Sequence, residues 1–448
     1  MNASPALLYY GDDFTGATDA LATARRAGLR SLLLLEVPDE ARLRSIGEHD
    51  CLGIAGSARS MTPAEMRDEL APVAALARRL RPRVLHYKTC STFDSAPAVG
   101  NIGEAVRVLQ PATGNDALAI VGGQPNLGRY CLFGHLFAAA GTGGNVFRLD
   151  RHPTMSRHPV TPMYESDLRA HLAAQQLRNI GLVPWTLYAA GDAALAAHAR
   201  AERDAGRPML LWDVAEPAHL LALGRRLLAE SAASAETAGS AESADRGLLA
   251  VGPSSVTEAV AGALRGTASA CIDAPGGIAA ANGPVLALAG SLSPITARQV
   301  AGARSFDVVR LDAERLVEAD GGYRSGAARD LAARLGAGRH ALACTVPPGG
   351  ARAPVASRTL AHAGGLLLAE VLQLTPVKRI GVAGGDTSSH AVQALDAWGL
   401  SFAGLVAPGA PLCTLRSASP VLDGVQLMLK GGQMGGDDIF ERLVAGTK

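Results

Sequence analysis

At 448 residues, with 42 Lys and Arg against 41 Asp and Glu and a formal net charge of +1 at pH 7, the chain is longer than one hydrophobic core usually serves and predicts two domains. The balanced charge, spread without a basic stripe, argues against the clustered cationic surface that a nucleic-acid binder needs. Cys51, Cys90, Cys131, Cys271, Cys344 and Cys413 lie far apart with no C-x-x-C pair, which fits reduced thiols of a cytoplasmic protein rather than a disulfide frame or a zinc site. The chain starts with neither the basic nor the long apolar stretch of a signal peptide, and no run approaches the ~20 apolar residues of a membrane span. Neither nucleic acid nor membrane is therefore an expected partner.

Residues 6–10 read as a first buried strand. The strand runs into Tyr9-Tyr10-Gly11-Asp12-Asp13-Phe14-Thr15-Gly16-Ala17, where a turn opens a helical period. The unpaired N–H groups of a helix start favour anions, and two adjacent carboxylates suit hydroxyl binding and proton abstraction. Helix capping accounts for one of those aspartates better than for both. Further strands are expected at 31–35, 51–55, 84–87 and 117–121, with a helix over 62–80 in which Pro63 suits the first turn. Polar clusters follow two of these strands, Ser57-Ala58-Arg59-Ser60 and Tyr87-Lys88-Thr89-Cys90-Ser91-Thr92-Phe93-Asp94-Ser95. His152 and His158 sit in a stretch with two X-Pro turns and no acidic or thiol ligand at zinc spacing, so a polar lid or loop is expected there rather than a metal site. Trp185, Trp212 and Trp398 are too scattered for a base-stacking platform and are expected in core or interface.

The stretch 231–245 is a low-complexity tract of Ala, Ser and Glu, expected as a surface loop or solvated helix. A strand-then-helix pattern resumes over 248–264, and the Pro/Gly/Ala-rich 274–284 reads as the linker into a second α/β unit. That unit shows strand patterns at 285–289, 306–310, 341–344, 379–383 and 402–406, and helical periods at 294–303, 327–335 and 355–372. The expected domains are thus 1–276 and 284–448. The second unit repeats the strand-to-helix junction at Ile380-Gly381-Val382-Ala383-Gly384-Gly385-Asp386-Thr387-Ser388. Its glycines let backbone approach a phosphate closely, and Thr387 and Ser388 can cap a helix or donate to phosphate. No G-x-x-x-x-G-K-[ST] occurs, so the phosphate grip is expected from helix termini rather than from a P-loop lysine.

Residues just past the carboxyl ends of neighbouring parallel strands converge on one crevice. Asp12, Asp13, Arg59 and Lys88 are therefore expected to share a site. Carboxylates accept from hydroxyls while cations hold a carboxylate, an inventory that fits a small sugar acid.

These residues carry a family resemblance. Gly11 to Asp19, Tyr87 to Ser95 with Gly100-Asn101-Ile102-Gly103, Gly128-Arg129-Tyr130, Gly134-His135-Leu136-Phe137, His158-Pro159-Val160-Thr161-Pro162-Met163, Gly290-Ser291-Leu292-Ser293-Pro294 and Gly384-Gly385-Asp386-Thr387, in that order over most of the chain, resemble the four-carbon acid sugar kinase family. The resemblance implies two α/β domains, an N-terminal one binding the acid sugar and a C-terminal one binding the nucleotide, with the active site in the interdomain cleft. It implies that ATP with Mg2+ phosphorylates a terminal hydroxyl of a short sugar acid. Carried over by motif, nucleotide contacts fall on Ser291, Gly384, Gly385, Asp386, Thr387 and Gly409. Substrate contacts fall on Thr15, Gly16, Arg59, Lys88, Ser91, Thr92 and Arg129. Asp13 is the expected hydroxyl-orienting base, with Asp12 its close alternative.

The form Cys90-Ser91-Thr92-Phe93-Asp94-Ser95 resembles the branch acting on 3-oxo acids, 3-oxo-tetronate and the branched 3-oxo-isoapionate. Threonate or erythronate kinase activity and a non-catalytic sugar-acid sensor stay open, as does a homo-oligomer. The chain departs from the family where Asp386 replaces a usual glutamate, at Leu429-Lys430-Gly431-Gly432-Gln433-Met434-Gly435 where the family often reads Leu-Lys-Ser-Gly-Asn-Phe-Gly, and at Gly122-Gly123-Gln124-Pro125, where Pro-Ala-x-Pro is more usual. A dinucleotide-dependent oxidoreductase would want G-x-G-x-x-G in the first βαβ unit with an acidic residue about 20 positions on, and neither is present.

Overall fold

A computed structural model of the chain describes residues 4–141, 143–158, 160–236, 247–266, 277–290, 293–345, 357–432 and 434–447. The chain divides into two compact units, Met1–Ile272 and Asp273–Lys448. The first is built on β1 (Leu7–Gly11), β2 (Ser31–Leu34), β3 (Cys51–Ala55), β4 (Val84–Lys88), β5 (Leu118–Gly122), β9 (Ile180–Val183), β10 (Met209–Asp213) and β11 (Leu248–Gly252). They form a parallel sheet in the order β2-β3-β1-β4-β11-β5-β10-β9. All five residues of β1, β3, β4, β5 and β11 are buried, as expected where helices cover both faces of a parallel sheet and each strand reads as one apolar run. A small antiparallel sheet of β6 (Arg129–Leu132), β7 (His135–Ala139) and β8 (Val146–Arg148) branches off after β5.

Local chemistry sets the helix boundaries. Thr62 caps the helix Pro63–Leu80 in a reciprocal box with Glu65, with Pro at the first turn. Asp13 caps the helix Phe14–Arg26 by accepting the Gly16 N–H. The low-complexity tract begins as the end of the helix His219–Glu236, and its remainder lies outside the described residues.

The second unit contains β12 (Val285–Ala289), β13 (Phe306–Arg310), β14 (His340–Cys344), β15 (Arg379–Ala383), β16 (Gly399–Ala407), β17 (Ala410–Arg416) and β18 (Gln426–Lys430). Its order is β13-β14-β12-β15-β18-β17-β16, parallel from β13 to β18 and antiparallel from β18 to β16. One face of this sheet packs Val285, Ala287, Leu342 and Met428 against Ile439, Phe440 and Leu443 of the C-terminal helix Ile439–Ala445. The described end of the expected linker is tied into this unit: the Thr447 N–H donates to the Ile278 carbonyl at 2.9 Å and the Ala281 N–H to the Val444 carbonyl at 2.8 Å. Residues 274–276 lie outside the described residues. Trp212 is fully buried on β10, and Trp185 meets Phe133 edge-on at 6.1 Å.

Candidate functional site

In the first unit the register brings three loops together. Gly11 pairs with Ala55 on β3 and with Lys88 on β4, so the residues that follow all three strands emerge at one end of the sheet. The Asp12 N–H donates to the Lys88 carbonyl at 3.0 Å, and the Arg59 N–H donates to the Asp12 carbonyl at 3.1 Å. The side chains converge as well. Arg59 Nη2 lies 2.8 Å from Asp12 Oδ1 and 3.0 Å from Asp13 Oδ1, with Nε donating to Asp12 Oδ2 at 3.2 Å. Asp13 accepts the Gly16 N–H on Oδ1 at 2.8 Å and the Thr15 hydroxyl on Oδ2 at 2.7 Å. Lys88 Nζ donates to the Thr89 carbonyl and stands so close to the helix start that a Cβ on Gly16 would come within 2.6 Å of it. Glycine at position 16 is thus a matter of space between Asp13 and Lys88.

Electrostatics separates the two aspartates. Burial raises Asp12 above the usual carboxylate range despite the Arg59 guanidinium. Asp13 meets the same burial, but Arg59, Lys88 and the hydrogen bonds from Thr15 and Gly16 outweigh it and hold it below that range. Asp13 therefore stays ionised at neutral pH, an acceptor able to orient a hydroxyl.

The loop after β4 closes the site. Thr92 donates to Asp94 Oδ1 at 2.6 Å, with the Cys90 thiol 3.0 Å from the Thr92 hydroxyl. Burial pushes that thiol up to about 11, which keeps it protonated. Phe93 is fully buried at φ 55°, a left-handed conformation costly for a bulky residue. The Ser95 hydroxyl, which donates to the Phe93 carbonyl at 2.8 Å, is itself met by His171 and Gln175. Ser91 is buried in the same loop. Arg129 is also buried and donates through Nη1 to the Leu127 carbonyl, leaving Nε without a hydrogen-bond partner. Burial lowers its guanidinium from the usual range and the nearby Asp94 carboxylate opposes that, placing it near this loop. Asp94, whose role the motif Cys90 to Ser95 does not disclose, is what fixes Thr92. Gln124, in the stretch that departs from the family pattern, donates to Asp19 at 3.1 Å on the helix that Asp13 caps. His152 Nδ1 accepts the N–H groups of Thr154 and Met155, and His158 Nδ1 that of Thr161, so both rings organise their own turns.

In the second unit four strand ends line up. The Thr345 N–H reaches the Ala289 carbonyl at 3.1 Å, the Gly290 N–H the Ala383 carbonyl at 3.0 Å, and the Gly384 N–H the Lys430 carbonyl at 2.9 Å. Gly384 takes φ 133°, which requires glycine. The helix Gly385–Gln393 starts directly after it. Among the described residues a Cβ on Gly385 would meet nothing within 4 Å, and its φ is not positive. Neither packing nor backbone conformation demands that glycine, and the open space is where an anion would approach the helix start. Thr387 and Ser388 are buried in the first turn, and Ser388 Oγ has no hydrogen-bond partner. Extending the β17–β18 register beyond Leu412↔Met428 sets Ala410 opposite Lys430, so the Gly409 turn, at φ 72°, lies at the same end of the sheet. The helix Pro294–Gly302, capped by Ser293, reaches this end too: Thr296 donates to the Gly432 carbonyl at 3.2 Å, and Gln299 to the Met434, Gly435 and Gly436 carbonyls at 3.0–3.1 Å. Ser291 and the side chain of Asp386 lie outside the described residues.

Lys430 Nζ is buried without a hydrogen-bond partner among the described residues. The Lys430 carbonyl accepts the Gly384 N–H, so this orphaned ammonium belongs to the residue paired with that glycine turn, a charge suited to an anion. No group of three or more His, Cys, Asp or Glu capable of holding a metal ion occurs among the described residues, and no described helix is long and apolar enough to cross a membrane.

Comparison with known proteins assigns both units. Residues 7–260 match a family model described as a sugar-binding N-terminal domain, and residues 286–440 one described as a nucleotide-binding C-terminal domain. The chain is 38% identical to a 3-oxo-isoapionate kinase of Paraburkholderia graminis, over 97% of this chain and 93% of the relative. It is 32% identical to a 3-oxo-tetronate kinase of Cupriavidus necator, over 98% and 96% respectively. A crystal structure of a Salmonella typhimurium LT2 protein superposes with a TM-score of 0.76 at 25% identity, over 97% of this chain and 98% of that one.

Proposed function

We propose an acceptor and a set of residue roles for this chain, which belongs to the four-carbon acid sugar kinase family and is an ATP-dependent sugar-acid kinase: it phosphorylates a terminal hydroxyl of a 3-oxo acid, with 3-oxo-isoapionate first and 3-oxo-tetronate second. The observation that carries the order is the 38% identity to a 3-oxo-isoapionate kinase over nearly the whole chain, against 32% to a 3-oxo-tetronate kinase.

The first unit binds the acceptor. Lys88 and Arg129 take its carboxylate and Ser91 supplies a donor beside them, while Thr15 and Gly16 hold Asp13 in place for the substrate and Thr92 is held by Asp94. Asp13, held ionised, accepts the proton of the reacting hydroxyl and aligns its oxygen. Arg59 is committed to Asp12 and Asp13, so its role is to neutralise and orient the aspartates rather than to hold the substrate. The nucleotide enters as its Mg2+ complex. Gly384 to Thr387, Ser291 and Gly409 receive it in the second unit. The acceptor oxygen forms a bond to the γ-phosphorus as the bond to the β–γ bridging oxygen breaks, ADP leaves, and the hydroxyl proton passes to Asp13 and then to solvent. Such a transfer needs positioning and charge neutralisation more than covalent help.

ADP release by the purified chain, measured with Mg-ATP and a panel of 3-oxo-isoapionate, 3-oxo-tetronate, D-threonate, D-erythronate and L-threonate, tests the assignment. The highest kcat/KM is expected on 3-oxo-isoapionate. A higher value on any of the hydroxy acids without the oxo group would overturn the acceptor class, and ADP release indifferent to every acid would favour a sensor.

A further inference from the structure

The nucleotide motifs of the second unit, Ser291, Gly384 to Thr387 and Gly409, contain no cation, yet a triphosphate is the most highly charged group this unit would receive. Lys430 ends β18, its side chain is fully buried, and Nζ has no hydrogen-bond partner among the described residues. A partnerless buried ammonium is costly in a folded protein and is usually neutralised or replaced.

The pleat fixes where it points. Gly381 faces Met428 and Ala383 faces Lys430 across β15 and β18, and side chains two residues apart share a face. Met428 belongs to the cluster with Phe440 and Leu443. Lys430 therefore lies on that same face, beyond the apolar cluster, at the end where the chain turns through Gly384 into the helix Gly385–Gln393. The first turn of Pro294–Gly302 covers the same face, since Val300 joins the cluster and Thr296 bonds the Gly432 carbonyl just past Lys430. The end of the sheet that carries Lys430 thus also carries two helix starts of nine residues each and the Gly409 turn.

We infer that Lys430 is the phosphate-binding cation of this unit, its ammonium pairing with the β- and γ-phosphates of the nucleotide received by the Gly384–Gly385 turn. The inference rests on the reading of the second unit as the nucleotide-binding one. Lys430 takes the place of a P-loop lysine on a different element, the carboxyl end of a strand rather than the start of a helix. Burial brings it down to about 8, so the ammonium form still predominates at neutral pH, and an arriving phosphate holds it charged.

Calorimetric titration of the full chain with ATP, ADP and adenosine, on wild type, Lys430→Met and Lys430→Gln, tests the assignment. A lost charge-assisted hydrogen bond of this kind corresponds to a roughly 10- to 150-fold rise in Kd. That rise is expected for ATP and ADP in both variants, with adenosine affinity within twofold of wild type and the melting temperature of unliganded Lys430→Met equal to or above wild type. ATP affinity within twofold of wild type in both variants would overturn the inference. So would parallel losses for adenosine and ATP with a lowered melting temperature, which would make Lys430 a structural residue. Wild type that binds ATP but turns over no sugar acid refutes the acceptor assignment and leaves this one standing. Wild type that binds no nucleotide refutes both.

Discussion

Replacing Arg59 with methionine keeps an unbranched apolar stem and removes the guanidinium that joins Asp12 and Asp13. The two carboxylates are 4% and 13% exposed, and one Arg59 nitrogen lies within 3.0 Å of both. Without it, Asp12 is a buried charge with a second carboxylate beside it, in the position where breaking an ion pair by deleting one partner typically costs about 3–5 kcal/mol. For a unit of this size, about 2 °C of melting temperature per kcal/mol gives a fall of roughly 6–10 °C at pH 7. Asp12 already titrates above its usual range because of burial, so losing Arg59 raises it further, and part of the fall is recovered as pH drops and the carboxyl takes up a proton. The second-site variant Asp12→Asn supplies the control: in the Arg59→Met background it removes the stranded charge and should restore several degrees. Differential scanning calorimetry on wild type, both single variants and the double variant measures the cycle. A fall under 2 °C in Arg59→Met, or a double variant no more stable than Arg59→Met alone, would refute the assignment of Arg59 to the aspartates.

Asp13→Asn keeps an oxygen to accept the Gly16 N–H and so preserves the helix cap, yet turnover is expected to fall ~10²-fold or more with ATP affinity unchanged; wild-type kcat in that variant would remove Asp13 from the chemistry. Lys88→Ala is expected to raise KM for the sugar acid by the ~1.5–3 kcal/mol of a charged hydrogen bond while leaving the Kd for ATP in place, and unchanged steady-state constants would exclude Lys88 from carboxylate binding. Gly385→Val adds a branched side chain to a position where a Cβ meets no neighbour, so the fold should be retained and ATP binding lost. Retained ATP affinity with a wild-type circular dichroism spectrum would make that turn a structural bend alone.

What the sequence discloses depends on how local the determinant is. Strands buried on both faces announce themselves as apolar runs, so β1, β3, β4, β12 and β15 are legible to within a residue or two. The short strands β6 to β8 alternate in burial, but the alternation does not follow residue type, with Arg129 buried and Leu132 and Phe137 only half-buried, so they carry no comparable signal. β9 is a four-residue edge strand with a glycine inside it, which lowers its strand signal further. Likewise the convergence of Asp12, Asp13, Arg59 and Lys88 follows from parallel strands sharing an end, but the partner of Arg59 does not. Only the register Gly11↔Ala55 decides that the guanidinium meets aspartates.

Lys430 is the extreme case, because a lysine closing an apolar strand reads as a solvated end, and its burial is set by helices far away in the chain. That burial has a consequence measurable without any ligand. Unfolded, the amine titrates near 10.5; folded, burial lowers it to about 8. Between those values the unfolded chain holds a proton that the folded chain has released, so this residue makes stability rise with pH through that window, by about 3 kcal/mol at ~1.4 kcal/mol per unit. Tyr10 and Tyr87, buried and raised well above their usual range, act oppositely: the unfolded chain loses their protons first, and stability falls as pH rises past about 10. The informative quantity is therefore the difference between wild type and Lys430→Met, in which the tyrosine contributions cancel. Melting temperatures taken from pH 7.5 to 10 should show the variant more stable at the low end and the gap closing toward the high end. A gap that stays constant across the range would mean that Lys430 titrates as an ordinary solvated lysine, and would withdraw both its burial and its claim on the phosphate.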